Sequence, residues 1–191
     1  MASLAITPRA SELQEILDAT VITDASGKVL DTESALEDLK VSLLERGKLG
    51  KGIFLAGNGG SAAVASHAIT DFVNVAKLRA MTLHESSLIT CMANDYGYES
   101  AFSKILGVMA GAGDVLLAIS SSGRSANILN AVTAMKDIGG ISVSLSGFDR
   151  DNVLRQMGDL NIWLDSHDYG LVEIGHLFIL HNLADRIHFK L

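Results

Sequence analysis

Six short apolar runs, separated by segments with helical spacing, constrain the fold of this chain more than any other feature. Most of the runs are continuously apolar, which is typical of strands covered on both faces. The segments near 61–76, 99–111 and 125–137 repeat apolar residues at helical spacing. The alternation predicts an α/β fold built on a parallel sheet. The predicted strands are GIFLAG (52–57), LRAMTL (78–83), SLITCMA (87–93), DVLLAIS (114–120), ISVSLSG (141–147) and LNIWLD (160–165).

Further helices are predicted at both ends of the chain. Before the first strand, ESALEDLKVSLLERGK places leucines 36, 39, 43 and 44 on one helical face, and another helix-compatible segment lies near 10–19. After the last strand, LVEIGHLFILHNLADRI is predicted to be one long helix. Apolar surface added to a covered sheet either packs within the subunit or forms a subunit interface. The sequence does not choose between these two interpretations.

The chain is predicted to be a single domain over residues 1–191. Its 191 residues are 48 % apolar, enough for a substantial core. Pro8 is the only proline, and there is neither a low-complexity tract nor a repeat of solenoid period. We assign residues 1–32 to an N-terminal helical extension and residues 33–187 to the core of the domain.

Composition excludes several classes of partner. A net charge of −7 and a pI near 5.2 disfavour nucleic-acid binding, which depends on clustered Lys and Arg. The apolar runs are shorter than the ~18 residues of a membrane helix, and the first residues lack signal-peptide features. A soluble, cytoplasmic protein without a membrane partner is therefore predicted. Cys91, the only cysteine, lies in LITCMA and is predicted to be a buried, reduced thiol.

Two loops each follow an apolar strand and precede a helix: GNGGSA (57–62) and SSSGRSAN (120–127). In open parallel sheets, ligands bind at this carboxyl edge of the strands. The second loop offers the hydroxyls of Ser120, Ser121, Ser122 and Ser125, with Gly123 permitting a tight turn, and is predicted to be a neutral phosphate cradle. The alternative is that these residues only cap the following helix.

The first loop matches neither common nucleotide motif. It lacks the Lys-Ser/Thr ending of a Walker A loop and the third glycine of a dinucleotide fingerprint. Asn58 can supply a side-chain amide, while Gly59 and Gly60 let a ligand approach the main chain. No nucleotide cofactor is predicted.

Ionisable side chains recur on two largely apolar helical segments. His67 and Asp71 are one turn apart and share a face, and Glu173 and His181 are about two turns apart on the last helix, with His176 near that stripe. Such groups on two helices can converge on a divalent metal, for which zinc, iron, nickel and manganese are all chemically suitable. Surface ion pairs or satisfied buried histidines are the alternative, but in apolar helices ionisable groups are costly unless partnered.

Taken together, the loops and helices resemble the phosphoheptose isomerase branch of the SIS (sugar isomerase) family. The resemblance spans about residues 33–187 and rests on four motifs in order: GNGGSAAVASH, CMANDYGYESAFSK, GDVLLAISSSGRSANIL and EIGHLFILH. It implies a parallel sheet flanked by helices, a homotetramer with active sites at subunit contacts, and no nucleotide cofactor. It also implies conversion of sedoheptulose 7-phosphate to glycero-manno-heptose 7-phosphate, an early step toward ADP- or GDP-heptoses.

The same resemblance implies the roles of individual residues. Asp71 becomes the catalytic base and His181 the acid of an enediol mechanism, assisted by a divalent metal, with zinc the preferred ion. The implied metal ligands are His67, Asp71, Glu173 and His181. The implied substrate-binding residues are Asn58, Gly59, Gly60, Ser61, Asn94, Asp95, Ser120, Ser121, Ser122, Arg124, Ser125 and Glu173.

Several positions depart from the branch's pattern. Asp71 stands where the branch has Glu, and Glu173 stands where it has Gln. Arg124, Leu171 and Val75 replace a usual Asn, Arg and basic residue, which affects the choice of sugar. The preferred hypothesis is therefore a sedoheptulose 7-phosphate isomerase. The alternatives are an isomerase of another phosphosugar, or a non-catalytic SIS protein that binds sugar phosphates as a regulator or adaptor.

Overall fold

A computed structural model describes residues 4–189, which form one seven-stranded sheet between two layers of helices. The predicted α/β class is confirmed, including the long C-terminal helix. The helices are α1 (Ile6–Asp18), α2 (Thr32–Lys48), α3 (Gly60–Asn74), α4 (Ser86–Tyr96), α5 (Tyr98–Met109), α6 (Ala126–Ile138) and α7 (Tyr169–Phe189).

The sheet has the strand order β2-β1-β7-β6-β5-β3-β4. Strands β3 to β7 run parallel, and their carboxyl ends therefore lie along one edge. Most are continuously buried because helices cover both faces. The strands are β1 (Val21–Asp24), β2 (Val29–Leu30), β3 (Ile53–Ala56), β4 (Ala80–Thr82), β5 (Val115–Ser120), β6 (Ile141–Ser146) and β7 (Leu160–Trp163).

Each face of the sheet carries its own apolar cluster. One cluster packs α2, α3 and α7 against residues such as Leu55, Leu117 and Val143. The other packs α5 and α6 against Phe54 and Leu116. Because successive side chains of a strand point to opposite faces, a continuously apolar strand supplies both clusters.

The N-terminal extension contains two strands that the sequence analysis missed. After α1, residues 21–30 form a hairpin whose first strand, β1, pairs antiparallel with β7. Asp24 closes its turn, because Oδ1 accepts hydrogen bonds from Ser26 N at 2.8 Å, Ser26 Oγ at 2.6 Å and Lys28 N at 3.1 Å. The extension therefore widens the sheet at one edge.

The predicted strand SLITCMA was wrong, because this segment forms helix α4. Glu85 caps the helix by accepting hydrogen bonds from Ser87 N at 3.1 Å and Leu88 N at 2.8 Å. No residue of α4 is fully buried. Cys91 is consequently exposed, and the prediction of a buried thiol was also wrong.

The terminal helices pack within the subunit and still leave apolar surface. Leu36, Leu39 and Leu43 are buried as the α2 pattern predicted. On α7, one side is buried against the sheet, whereas Ile174 and Phe178, one turn apart, are each 54 % exposed. Across residues 4–189, the helices include none with the length and apolar character needed to cross a membrane.

His176 lies in the core rather than in the predicted ionisable stripe. Its ring is fully buried, and Nε2 lies 3.1 Å from the Ser146 carbonyl oxygen. Burial lowers the pKa of His176 to about 4, although the hydrogen bond to Ser146 acts in the opposite direction. The imidazole is therefore neutral in the folded protein at neutral pH.

The buried imidazole predicts a specific acid sensitivity. Its folded pKa lies below the ordinary value of 6.5, so the unfolded chain binds the proton first as the pH falls. The contribution of neutral His176 to the free energy of unfolding is fully present above pH 6.5 and is lost progressively as the pH falls towards 4. Between pH 7 and pH 5 we expect a loss of about 2 kcal/mol in the free energy of unfolding. Urea titrations at the two pH values measure it.

His176→Gln is the matched control for this prediction, because its amide can still donate to Ser146 but does not titrate. The pH-dependent loss in this variant is expected to be about 2 kcal/mol smaller than in the parent. Equal losses in the two proteins would contradict the assignment.

Candidate active site

The two predicted loops meet at the carboxyl edge of the sheet. They follow β3 and β5, which are adjacent parallel strands, and together they enclose a cleft of about 250 Å³, here called the serine cleft. Residues of both predicted loops therefore line the same cleft. Its lining residues are Asn58, Gly59, Gly60, Ser61, Ile119, Ser120, Ser121, Ser122, Ser125, Tyr169 and Glu173.

The serine hydroxyls do more than cap α6. Ser125 occupies the N-cap position, yet its side chain makes no capping hydrogen bond; its Oγ instead lies 3.2 Å from Ser120 Oγ. The buried Ser121 Oγ has no partner within residues 4–189. Gly123 adopts a φ of 63°, which gives the loop its tight turn. The unpartnered Ser121 hydroxyl and the neighbouring serine hydroxyls, beside the N-termini of α3 and α6, suit a phosphate group.

Asn58 is held in place by two residues that the sequence analysis did not select. Asn58 Nδ2 donates to Asn127 Oδ1 and Asn127 Nδ2 donates to Asn58 Oδ1, both at 2.9 Å. Tyr98 Oη also donates to Asn58 Oδ1, at 2.7 Å. The second N–H of Asn58 Nδ2 remains available to a ligand. Neither Asn127 nor Tyr98 lines the cleft, so both act by positioning Asn58.

Glu173 joins the serine cleft to a second one. Its carboxylate lies against Gly60, where a β-carbon would overlap it. The second cleft, here called the histidine cleft, measures about 310 Å³ and shares Gly60 and Glu173 with the first. Its remaining lining residues are Ala63, Val64, His67, Ile174 and Leu177.

The packing of α3 against α7 brings the other predicted ionisable groups together in pairs. His181 Nδ1 is in direct contact with Asp71 Oδ2, close enough for a hydrogen bond or, with His181 protonated, an ion pair. The His67 and His181 rings meet edge to face, with centroids 4.9 Å apart. His67 is exposed, and Asp71, Glu173 and His181 are half-buried. The arrangement connects the histidine cleft to a carboxylate–imidazole pair that can exchange protons.

The four predicted metal ligands do not form a coordination site as they stand. Within the described part of the chain, no three His, Cys, Asp or Glu side chains are placed to hold one ion. The described contacts explain this, since Asp71 engages His181 and the Glu173 carboxylate lies over Gly60. We therefore derive no catalytic step through a metal.

Three predicted substrate-binding residues lie outside both clefts in a single chain. Asn94 Nδ2 donates to Asp95 Oδ1 at 2.9 Å, and both side chains are exposed on α4. Arg124 Nη2 donates to Asp149 Oδ2 at 2.8 Å, and Arg124 is not among the residues that line the serine cleft. Leu171 is a buried core residue. The serine cleft therefore has no Lys or Arg in its lining.

Tyr169 is a lining residue that the sequence analysis missed. It begins α7, and its ring meets Phe148 edge to face, with centroids 4.7 Å apart. Phe148 also stacks on His167. A lone tyrosine after a polar turn has no distinguishing sequence pattern, so only the tertiary structure identifies it.

Comparisons with known proteins agree with the fold. Residues 20–147 match the family described as SIS domain. A phosphoheptose isomerase of Pelobacter propionicus is 32 % identical over 163 residues, covering 82 % of this chain and 86 % of the relative. A solved phosphoheptose isomerase from Neisseria gonorrhoeae is 27 % identical, with a TM-score of 0.78 over 95 % of this chain and 96 % of that one. One from Francisella tularensis, 23 % identical, has a TM-score of 0.83 over 96 % and 95 % of the two chains.

Proposed function

The chain belongs to the phosphoheptose isomerases of the SIS-domain family, and on that premise we propose that it converts sedoheptulose 7-phosphate to an aldose heptose 7-phosphate. The observation that carries the proposal is the junction of the two clefts at Gly60 and Glu173. When the phosphate group binds in the serine cleft, the sugar chain extends past Glu173 toward His67. A phosphosugar therefore spans from the hydroxyls to the proton-transfer groups.

The Asp71–His181 pair is proposed to move the protons. Asp71 removes a proton from C1 of the ketose while His181 protonates the C2 carbonyl oxygen, which gives an enediol. The C1 hydroxyl then loses its proton as C2 gains one, and the aldose results. The serine cleft fixes which end of the sugar reaches the pair, and Asn58 and Glu173 orient its hydroxyls.

The cofactor and assembly predictions remain proposals. A divalent metal, with zinc preferred, is supported by donor chemistry alone: two imidazoles and two carboxylates on contacting helices. A homotetramer is supported by the exposed Ile174 and Phe178 and by α4, which has no fully buried residue. The exposed Asn94 and Asp95 on α4 would then approach substrate at subunit contacts. A cytoplasmic location and a single SIS domain over residues 1–191 are likewise proposed.

An isomerisation assay tests the function. Purified protein is incubated with sedoheptulose 7-phosphate, and the aldose product is followed by NMR, beside a panel of shorter ketose phosphates and a metal analysis of the same preparation. We expect the heptose to be the best substrate. Turnover of another ketose alone would reassign the substrate, and binding without any turnover would favour a regulatory SIS protein.

The Asn58 network predicts a defect in substrate binding. Asn127→Ala removes both amide contacts and frees Asn58 to rotate, so KM is expected to rise about tenfold with a smaller change in kcat. Tyr98→Phe removes one hydrogen bond and should raise KM less. Asn130→Ala, one turn further along α6 and bonded only to the Glu99 carbonyl, is the control. An unchanged KM in Asn127→Ala would show that Asn58 needs no support.

A further inference from the structure

A larger cleft lies away from the serine and histidine clefts, between the β1–β2 turn and the connection from β6 to β7. It measures about 420 Å³ and shares no lining residue with either of them. One wall is the turn from Thr23 to Gly27, and the other carries Arg150, Arg155 and Gln156. We call it the arginine cleft. Its volume is in the range that holds a small molecule.

Arg155 is held in place without a carboxylate partner, and Arg150 is exposed beside it. Arg155 lies over the Trp163 ring, 4.6 Å from its centroid, and Arg155 Nη1 donates to the Arg150 carbonyl oxygen at 2.6 Å. Neither arginine forms an ion pair within residues 4–189. The backbone contact and the indole therefore orient Arg155 without pairing its charge directly with a carboxylate.

Arg150 is also close enough for its charge to disfavour the charged form of Arg155. Burial and, secondarily, the charge of Arg150 lower the pKa of Arg155, while Asp165 acts weakly in the opposite direction. Arg155 stays protonated at neutral pH, because the pKa of an arginine starts far above 7. An anion between them would relieve the repulsion and replace the water that Arg155 has lost.

Asp24 is the one carboxylate in the lining, and its charge is committed to the hairpin. The pKa of Asp24 is lowered mainly by the Ser26 side-chain hydrogen bond, with contributions from the Ser26 and Lys28 amides. Three donors on Oδ1 occupy this oxygen and stabilise the ionised carboxylate, and the Lys28 charge also favours the ionised form. With two arginines and one hydrogen-bonded carboxylate, the lining of the cleft carries a net positive charge, although the net charge of the chain is −7.

We propose that the arginine cleft is a second ligand site, which binds a small dianion of the phosphate class independently of the serine cleft. The planar forks of Arg150 and Arg155 match the oxygens of such an anion, and Ser26 and Gln156 add polar groups at the rim. Inorganic phosphate and the phosphate group of a sugar phosphate share this chemistry. The cleft is too small for a polyanion such as a nucleic acid.

Tryptophan fluorescence can report binding in the arginine cleft, because Trp163 is the only tryptophan in the chain and its ring lies under Arg155. Protein is titrated at constant ionic strength with inorganic phosphate and, separately, with glucose 6-phosphate, while tryptophan fluorescence is recorded. We expect a saturable change, and Arg150→Gln should raise its apparent Kd about tenfold. Arg150 is exposed, so the variant should fold. A tighter response to one titrant identifies the source of the anion.

Arg79→Gln, an exposed arginine beside β4 at the far edge of the sheet, is the matched control and should titrate like the parent. A Ser121→Ala/Ser122→Ala variant separates the two sites, because it should lose binding at the serine cleft but keep the fluorescence change. Equilibrium dialysis of radiolabelled phosphate should count two bound ions per chain in the parent and one in Arg150→Gln/Arg155→Gln. One bound ion in both proteins, or the same fluorescence titration in Arg150→Gln as in the parent, would overturn the proposal.

Discussion

Replacing His181 by alanine is expected to lower kcat for the isomerisation by about 10²–10⁴-fold while KM changes little. The imidazole contacts both Asp71 and the His67 ring, so its loss removes the proposed acid and the partner of the proposed base together. The hydroxyls of Ser120, Ser121, Ser122 and Ser125 lie on the loop between β5 and α6, so the substitution on α7 leaves them in place. Steady-state kinetics measures both constants, and substrate binding to the inactive variant is checked by calorimetry.

His188→Ala is the matched control, because His188 is exposed on the same helix and its ring contacts Phe189 instead of the site. Asp71→Asn should resemble His181→Ala, and the double variant should be little worse than either single one, because the two groups act as a unit. A kcat within about twofold of the parent in His181→Ala would exclude this histidine from the mechanism.

Gly60→Ala is expected to reduce kcat/KM about a hundredfold without destabilising the protein. A β-carbon at Gly60 overlaps the Glu173 carboxylate, so the carboxylate must leave the junction of the two clefts. The clash is with the end of a flexible side chain, and alanine suits the first turn of α3 better than glycine. Misplacing a substrate-orienting group by about 1 Å can cost 10²-fold in rate. Kinetics and thermal unfolding are measured on the same preparation.

Gly107→Ala on α5 is the control for the glycine replacement itself, because a β-carbon there meets no atom within 4 Å. It should keep the parent's activity and unfold at the same or a slightly higher temperature. Adding Glu173→Gln to the Gly60→Ala variant removes the charge but leaves the side chain displaced. If the position of this group matters more than its charge, the double variant should regain less activity than reversion of position 60 to glycine. Full activity in Gly60→Ala would mean that Glu173 does not orient substrate.

The loops were predictable because their positions follow from chain order. In a parallel sheet, every strand ends at the same edge, so GNGGSA and SSSGRSAN had to meet once their strands were adjacent. The pairing of α3 with α7 is different, since His67 and His181 are far apart in the chain. The sequence indicated that His67 shares a helix face with Asp71, and His181 with Glu173. The contact between the two helices, however, depends on how they pack.

The errors have identifiable physical causes. SLITCMA is a short apolar run, and periodicity alone does not distinguish a strand from a helix of that length. The strands of the N-terminal hairpin have four and two residues, too few for a pattern. His176 and His181 lie on a helix with apolar residues around most of its circumference, so the sequence could not tell which imidazole faces the core.

By itself, the sequence determined the α/β class, the places of the five parallel strands along the chain, and the hydroxyl-rich character of the loop after β5. These depend on local periodicity and on residue chemistry, which are properties of neighbours in the chain. The tertiary structure alone decided that Arg124 turns to Asp149, that Asp71 engages His181 rather than sharing a set of ligands, and that Arg150 and Arg155 face the hairpin turn. Such outcomes depend on contacts between distant segments, and those are set only when the whole core packs.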